Sequence, residues 1–297
     1  MGNRTVAGWA LIAGLLAMLL PAAGAAQGDD IWVETDELDE LMAQPNTVLL
    51  DAKSPDIYER AHIPGAINLH YLNFADIETR SDNGFPVSPD NAEKLLGEAG
   101  VSNETTAIIY DGGQGPPASG LWFAMRFFGH DNVKILDGGF RKWLAEDRPV
   151  TQKVPEVKER SFSAKPHPDM VATIDEVKAN LRGGQAKIVD NRSLEEFIGE
   201  NVLPNAARGG HIPRAQRLEW QKLSGELATR KEPRAQRQVM DKAGLASDDE
   251  IIAYCQSGIG RSTFFYLMAK QLGYPNVRVF TGSWEEWSAN SRLPVEK

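Results

Sequence analysis

The chain of 297 residues holds one cysteine, Cys255, and its neighbours are of the kinds that make a thiol reactive. Ile251-Ile252-Ala253-Tyr254-Cys255-Gln256-Ser257-Gly258-Ile259-Gly260-Arg261-Ser262 reads as a buried strand, a glycine-bearing turn, an arginine and a helix start. Backbone N–H groups curling around the sulfur and the positive end of the following helix would both favour the thiolate. Gly258 and Gly260 permit the tight or left-handed backbone that such a wrap demands. Arg261, always charged, stands where it can stabilise a thiolate or an anionic substrate. The loop from Gln256 through Ser257, Gly258, Ile259 and Gly260 to Arg261 therefore suits a large, soft anion: a persulfide, or an oxyanion such as thiosulfate, phosphate or arsenate. A lone cysteine without clustered histidines or paired carboxylates has poor ligand spacing, so neither a metal nor another cofactor is expected. The competing reading of Cys255 is a small buried hydrophobe at a strand end.

The elements that must position this loop follow from alternating apolar runs and helical patterns. Val48-Leu49-Leu50, Ala107 to Tyr110, Lys134 to Leu136, Lys187 to Val189, Ile251 to Tyr254 and Arg278 to Phe280 read as strands. Thr35 to Ala43 and Thr173 to Leu181 read as helices with Thr35 and Thr173 as N-caps. Gly120 to Phe128 and Ser262 to Leu272 also read as helices, the last ended by Gly273. Continuous strands alternating with helices imply α/β units around a mainly parallel sheet. Ligands of such folds bind beyond the carboxyl ends of strands, where Cys255 stands.

The chain also repeats itself. Ala107-Ile108-Ile109-Tyr110-Asp111 matches Ile251-Ile252-Ala253-Tyr254-Cys255 at a separation of 144 residues, which also carries Gly129 onto Gly273, Gly138 onto Gly282 and Trp143 onto Trp287. Upstream, Leu50-Asp51-Ala52-Lys53-Ser54 resembles Val189-Asp190-Asn191-Arg192-Ser193, and His62-Ile63-Pro64 resembles His211-Ile212-Pro213. The pattern gives two domains, 30–150 and 171–297, joined by a linker over 151–170 that carries Pro155, Pro166 and Pro168. Asp111 takes the cysteine's place in the first unit, and a carboxylate cannot carry sulfane sulfur.

Residues 1–25 read as a cleavable signal peptide: Arg4, an apolar stretch from Val6 to Leu20, then Ala23-Gly24-Ala25. The stretch is short of the roughly 20 residues of a spanning helix. The mature chain is then expected to be periplasmic or secreted, with no membrane attachment after cleavage. The formal net charge of −9 becomes −10 once Arg4 is removed, which argues against a nucleic-acid partner.

In these residues the chain resembles the rhodanese family in its tandem two-domain form. The segments concerned in the second unit are Val189-Asp190-Asn191-Arg192, Gly209-Gly210-His211-Ile212-Pro213, Tyr254-Cys255-Gln256-Ser257-Gly258 and Thr281-Gly282-Ser283-Trp284-Glu285-Glu286-Trp287. In the first they are Leu50-Asp51-Ala52, Ala61-His62-Ile63-Pro64-Gly65-Ala66 and Leu136-Asp137-Gly138-Gly139-Phe140. The resemblance implies two rhodanese-like domains, the first catalytically silent and forming one wall of the cleft. It also implies a sulfurtransferase that carries sulfane sulfur as a Cys255 persulfide, of thiosulfate or 3-mercaptopyruvate type. The partners implied are a small anionic sulfur donor and a thiol or cyanide acceptor, with room for a redox partner protein that keeps the thiol reduced. Arg192 matches an arginine that helps position the donor; its other reading is a charge pairing with Asp190 or Glu196. His62 and His211 share a structural role near a turn, since one lies in the unit without a cysteine. The spacing from Cys255 to Arg261, C-x5-R, is one residue longer than in the usual family loop. It resembles the phosphate loop of cysteine phosphatases, including the Cdc25-type enzymes, so a phosphatase or arsenate-handling enzyme, or a non-catalytic sulfane-sulfur binding module, stands as the alternative.

Overall fold

Strand β9 (Ile251–Tyr254) is buried at all four positions, as expected of a parallel strand covered on both faces. It lies in a five-stranded sheet with β6 (Val171–Ala172), β7 (Lys187–Asp190), β8 (Gln216–Arg217) and β10 (Val277–Phe280), in the order β6-β10-β9-β7-β8. The first unit repeats that order as β1-β5-β4-β2-β3, with β1 (Trp32–Val33), β2 (Thr47–Asp51), β3 (Ile67–Asn68), β4 (Thr106–Tyr110) and β5 (Val133–Leu136). Every strand pairing in both sheets is parallel. The fold is therefore α/β, two tandem domains each with a parallel sheet flanked by helices. This computed structural model describes residues 1–2, 31–75 and 87–297, so the signal peptide expected over 1–25, its apolar stretch from Val6 to Leu20 included, lies outside the described residues from residue 3 on. Among the described residues no helix is long and apolar enough to cross a membrane.

The expected strands form within a residue or so of their predicted limits. Thr173 caps its helix with a full capping box, its hydroxyl accepting from the Glu176 N–H while the Glu176 carboxylate accepts from the Thr173 N–H. Thr35 does not act as a cap. The first helix begins only at Leu38, after Glu37, and Thr35 is buried instead. The helix expected from Gly120 starts earlier, at Pro116, because a proline at the first position has its φ already set and no N–H to satisfy. Residues 151–167 run pinned along the first domain, and Pro168–Met170 already pack against the second sheet. Thr151 exchanges two backbone bonds of 2.9 Å with His62, Arg160 N–H donates to Gly97, and Phe162 is buried.

The two sheets meet through equivalent helices, Pro116–Phe127 and Arg261–Gln271. A side chain built on Gly115 would run into Phe264, and one built on Gly120 would press on Ile259. These are reciprocal contacts: the 144-residue separation carries Gly115 onto Ile259 and Gly120 onto Phe264. The same separation carries Trp122 onto Tyr266, whose rings face each other 6.4 Å apart at the centre. Such exchange is what an isologous, two-fold interface produces. The shared core explains why Phe264 to Ala269 are buried all round their helix, and it seats the first domain directly against the loop that follows Cys255.

Half-buried Glu286, in the helix Ser283–Ala289, has its carboxyl pushed up to about 7 by burial and then by the charge of Asp175. The folded state thus holds a proton that the unfolded chain releases near its ordinary value. This contribution to stability is complete at acid pH and is lost as pH rises to about 7. Glu286→Gln should therefore raise the melting temperature at pH 8 by about 2 °C and leave it nearly unchanged at pH 5, in parallel thermal melts.

Candidate active site

Cys255 stands one residue beyond the carboxyl end of β9, 2% exposed. Its backbone is clamped on both sides: the N–H donates to Ser283 Oγ at 3.1 Å and the carbonyl accepts from Trp284 N–H at 3.1 Å. Gly258 and Gly260 take φ of 82° and 113°, the left-handed backbone foreseen for them. The chain then enters its helix at Arg261. The Ser262 hydroxyl sits between the Gly258 carbonyl at 2.8 Å and the Cys255 Sγ at 3.4 Å. Burial pushes the thiol up, but the Arg261 charge, the Ser262 hydroxyl and the amides of Ser262 and Ser257 together bring it below the usual thiol value.

The side chains of the loop are less free than their sequence suggests. Gln256 is 5% exposed and donates to Asn205 Oδ1 at 2.9 Å, while Asn205 Nδ2 donates to Ser257 Oγ and to Glu285 Oε2. Ile259 packs on the first domain at Gly120, and Ser119 Oγ donates to the Gly260 carbonyl at 3.3 Å. What this stretch can offer a ligand is its amides. Arg261 meets Glu196 with both guanidinium ends, Nη1 to Oε2 at 2.6 Å and Nη2 to Oε1 at 3.0 Å. Asn205, Ser262 and Ser283 belong to the site and were not read from sequence. Glu196 was read only as a partner for Arg192, and the serine beside Arg261 was the one local signal available.

Arg192 departs from its expected place. It is 1% exposed, and it forks onto Asp190 with Nε to Oδ1 at 3.0 Å and Nη2 to Oδ2 at 2.6 Å. Nη2 also donates to the Gly210 carbonyl at 2.8 Å, and the guanidinium lies 4.7 Å from the Trp284 ring centroid. The domain without a cysteine repeats all three contacts. Lys53 is 3.4 Å from Asp51, donates to the Ala61 carbonyl at 2.9 Å and lies 3.7 Å from the Phe140 ring centroid. A matched cation in both domains, paired and buried alike, fits the second of the two readings of Arg192, a charge pairing with Asp190. His211 and His62 are likewise matched: each stacks on the ring four or more residues upstream, Phe197 or Tyr58, with Nδ1 2.9 Å from that residue's carbonyl.

The first domain shows what this loop architecture binds. Asp111 occupies the cysteine's position and its carboxylate accepts four backbone amides: Gly113 and Gln114 on Oδ1 at 2.7 and 3.1 Å, Gly115 and Ala118 on Oδ2 at 2.8 and 3.1 Å. Burial pushes the Asp111 carboxyl up and the amides pull against it. With N–H donors on both oxygens and no acceptor facing them, the ionised form is the one the geometry fits. The adjoining cavity, about 20 Å³, is water-sized. Asp111→Ala should leave four donors without an acceptor and lower stability by about 2–4 kcal/mol. The sulfur adduct on Cys255 should survive that change, measured by thermal melts beside intact mass.

Among the described residues no cluster of three or more His, Cys, Asp or Glu is arranged to hold a metal ion. The model of the rhodanese-like domain matches twice, over residues 34–146 and 173–290. The putative thiosulfate sulfurtransferase of Saccharopolyspora erythraea is 32% identical over 276 residues, 90% of this chain and 96% of that protein. The thiosulfate sulfurtransferase of Azotobacter vinelandii is 33% identical over 89% of this chain and 96% of its own length. The sulfur carrier protein TtuD of Thermus thermophilus is 31% identical over 90% and 97%. Among solved structures, the anaerobic ergothioneine biosynthesis enzyme of Chlorobium limicola superposes with a TM-score of 0.81 at 24% identity, over 92% of this chain and 72% of that one, which speaks to the fold. An EanB variant with ergothioneine covalently linked to a persulfide cysteine gives 0.81 at 25% identity, over 92% and 71%. The chain belongs to the rhodanese family, as a tandem two-domain member. Its relatives place it among the sulfurtransferases.

Proposed function

We propose that the chain moves a sulfane sulfur from a small anionic donor, thiosulfate by the names of its relatives, to a thiol or cyanide acceptor through a persulfide on Cys255. The observation that carries this reading is the pair of matched loops. One holds an anion on four amides, and the other holds a thiol in the same position with its pKa brought down.

In the first half-reaction the Cys255 thiolate attacks the outer sulfur of thiosulfate. A Cys255–sulfur bond forms, the donor's own S–S bond breaks, and its electron pair leaves on sulfite. In the second, the acceptor attacks the outer sulfur of the persulfide, and Cys255 departs as the thiolate. The amides of Ser257 and Ser262 serve Sγ. By equivalence with Gln114 and Gly115, those of Gly258 and Ile259 would face the transferred sulfur.

The C-x5-R spacing favours phosphoryl or arsenate chemistry as the second reading, and Glu196 argues against it by occupying the arginine of that motif. Incubation with thiosulfate followed by intact mass should show a gain of one sulfur atom, removed again by cyanide. No adduct with thiosulfate or 3-mercaptopyruvate, together with turnover of an aryl phosphate, would replace the proposal with the phosphatase reading. The proposal places this chemistry outside the cytoplasm, as the segment over residues 1–25 suggests; cell fractionation that finds the mature chain in the cytoplasm would remove that part.

A further inference from the structure

Resting on the sulfur-transfer reading, we propose that Glu196 sets the anion specificity of the Cys255 loop by withholding the fork of Arg261 from tetrahedral oxyanions. A phosphoryl or arsenyl group bonded to or resting on Sγ brings several oxygens into the loop at once. The group best suited to meet two of them together is an arginine fork. In this loop both Nη atoms are spent on the two oxygens of Glu196, at 2.6 and 3.0 Å. A sulfane sulfur on Sγ is a single atom, which the loop amides can hold without the fork. The field of Arg261 still reaches the thiol and helps to lower it.

Glu196 is built to stay where it is. It is 4% exposed, and its pKa is below the usual carboxylate value: burial raises it, and the hydrogen bond and charge of Arg261 more than offset that. Oε2 also accepts from the Ser193 N–H at 3.1 Å, and the Glu196 N–H donates back to Ser193 Oγ at 3.3 Å, a capping box that fixes the carboxylate from behind. Releasing the fork to a substrate would leave this nearly buried carboxylate without its charge partner, a repulsive element of the kind that specificity uses. Domain one offers no counterpart at this position, since Pro117 stands where Arg261 does.

The test is Glu196→Gln, which keeps an oxygen acceptor for the capping box while removing the charge. Protection of Cys255 from iodoacetamide by orthophosphate and by arsenate is measured beside the rate of sulfur loading from thiosulfate. The ratio of oxyanion affinity to sulfur loading should rise at least about tenfold in Glu196→Gln. The rise should vanish when Glu196→Gln is made on an Arg261→Met background and compared with Arg261→Met alone. An unchanged ratio in the folded variant, or a rise that persists without Arg261, overturns the proposal, because a merely structural role would move both readouts together. If Glu196→Gln does not fold, Glu196→Asp, one carbon shorter with the charge kept, should give a smaller rise in the same ratio, and no rise overturns it. Wild-type protein that takes up no sulfane sulfur, with the ratio of phosphate protection between variant and wild type still raised, removes the sulfur-transfer reading and leaves Glu196 as the anion filter.

Discussion

Cys255→Ser should leave a folded chain that gains no sulfur from thiosulfate and whose turnover with cyanide falls at least about 10³-fold. The fold should tolerate the change, because serine differs from cysteine by one atom and the clamps on residue 255 are backbone bonds to Ser283 and Trp284. The chemistry should not. An alkoxide at that position would need a far lower pKa than this loop can impose, and an oxygen–sulfur bond would not survive as the carrier of a sulfane sulfur. No other residue can substitute, since the sequence contains no second cysteine. The first-domain loop cannot help, for its carboxylate already fills its own amides. Circular dichroism and melting establish the fold, and intact mass and thiocyanate release measure the loss. Turnover within tenfold of wild type in folded Cys255→Ser would place the sulfur elsewhere and end the persulfide mechanism.

What could be read from the sequence was whatever is local or repeated. The strands were legible because parallel strands buried on both faces are continuous apolar runs, and Cys255 was legible because a thiol, two glycines and an arginine stand within seven residues. The duplication added what periodicity alone could not, a silent partner for every position. It lets Arg192 be compared with Lys53, which makes the same contacts in the unit without a cysteine. The pairing of Arg261 was not legible. Glu196 lies 65 residues earlier, and both Glu196 and Asp190 were open to Arg192 until the fold gave Asp190 to Arg192 and Glu196 to Arg261. Asn205 and Ser283 reach the loop from segments brought in by the chain's long-range path, and no spacing announces them. Thr35 failed as a cap for a different reason. The side chain had the right chemistry, but the chain continues past it in a turn and buries it before the helix starts at Leu38.

Gly258→Ala should be among the most damaging single-methyl changes the chain can receive. The residue has φ of 82°, where an L side chain is strained, at about 1 kcal/mol or more. That alone is survivable. The space is not: an added Cβ would lie 1.6 Å from the Thr281 carbonyl oxygen and 2.3 Å from its carbon. Those atoms are backbone, in the turn between β10 and Ser283, so no side chain can swing aside. Either that turn retreats or the loop does, and both are joined to Cys255 through Ser283 Oγ, Trp284 N–H and the bond from Glu285 N–H to the Gln256 carbonyl at 2.9 Å. The expected cost exceeds about 4 kcal/mol, roughly 10 °C in melting temperature for a domain of this size, with sulfur loading lost at temperatures where the chain is still folded. Gly273 provides the control. Its φ is also 82°, yet a Cβ there would meet nothing within 4 Å, so Gly273→Ala should show the backbone strain alone, about 1 kcal/mol. If the two variants melt within a degree or two of each other, the contact with Thr281 is not what fixes the loop, and the amide nest must owe its shape to the hydrogen bonds of Ser262 and Ser283 instead.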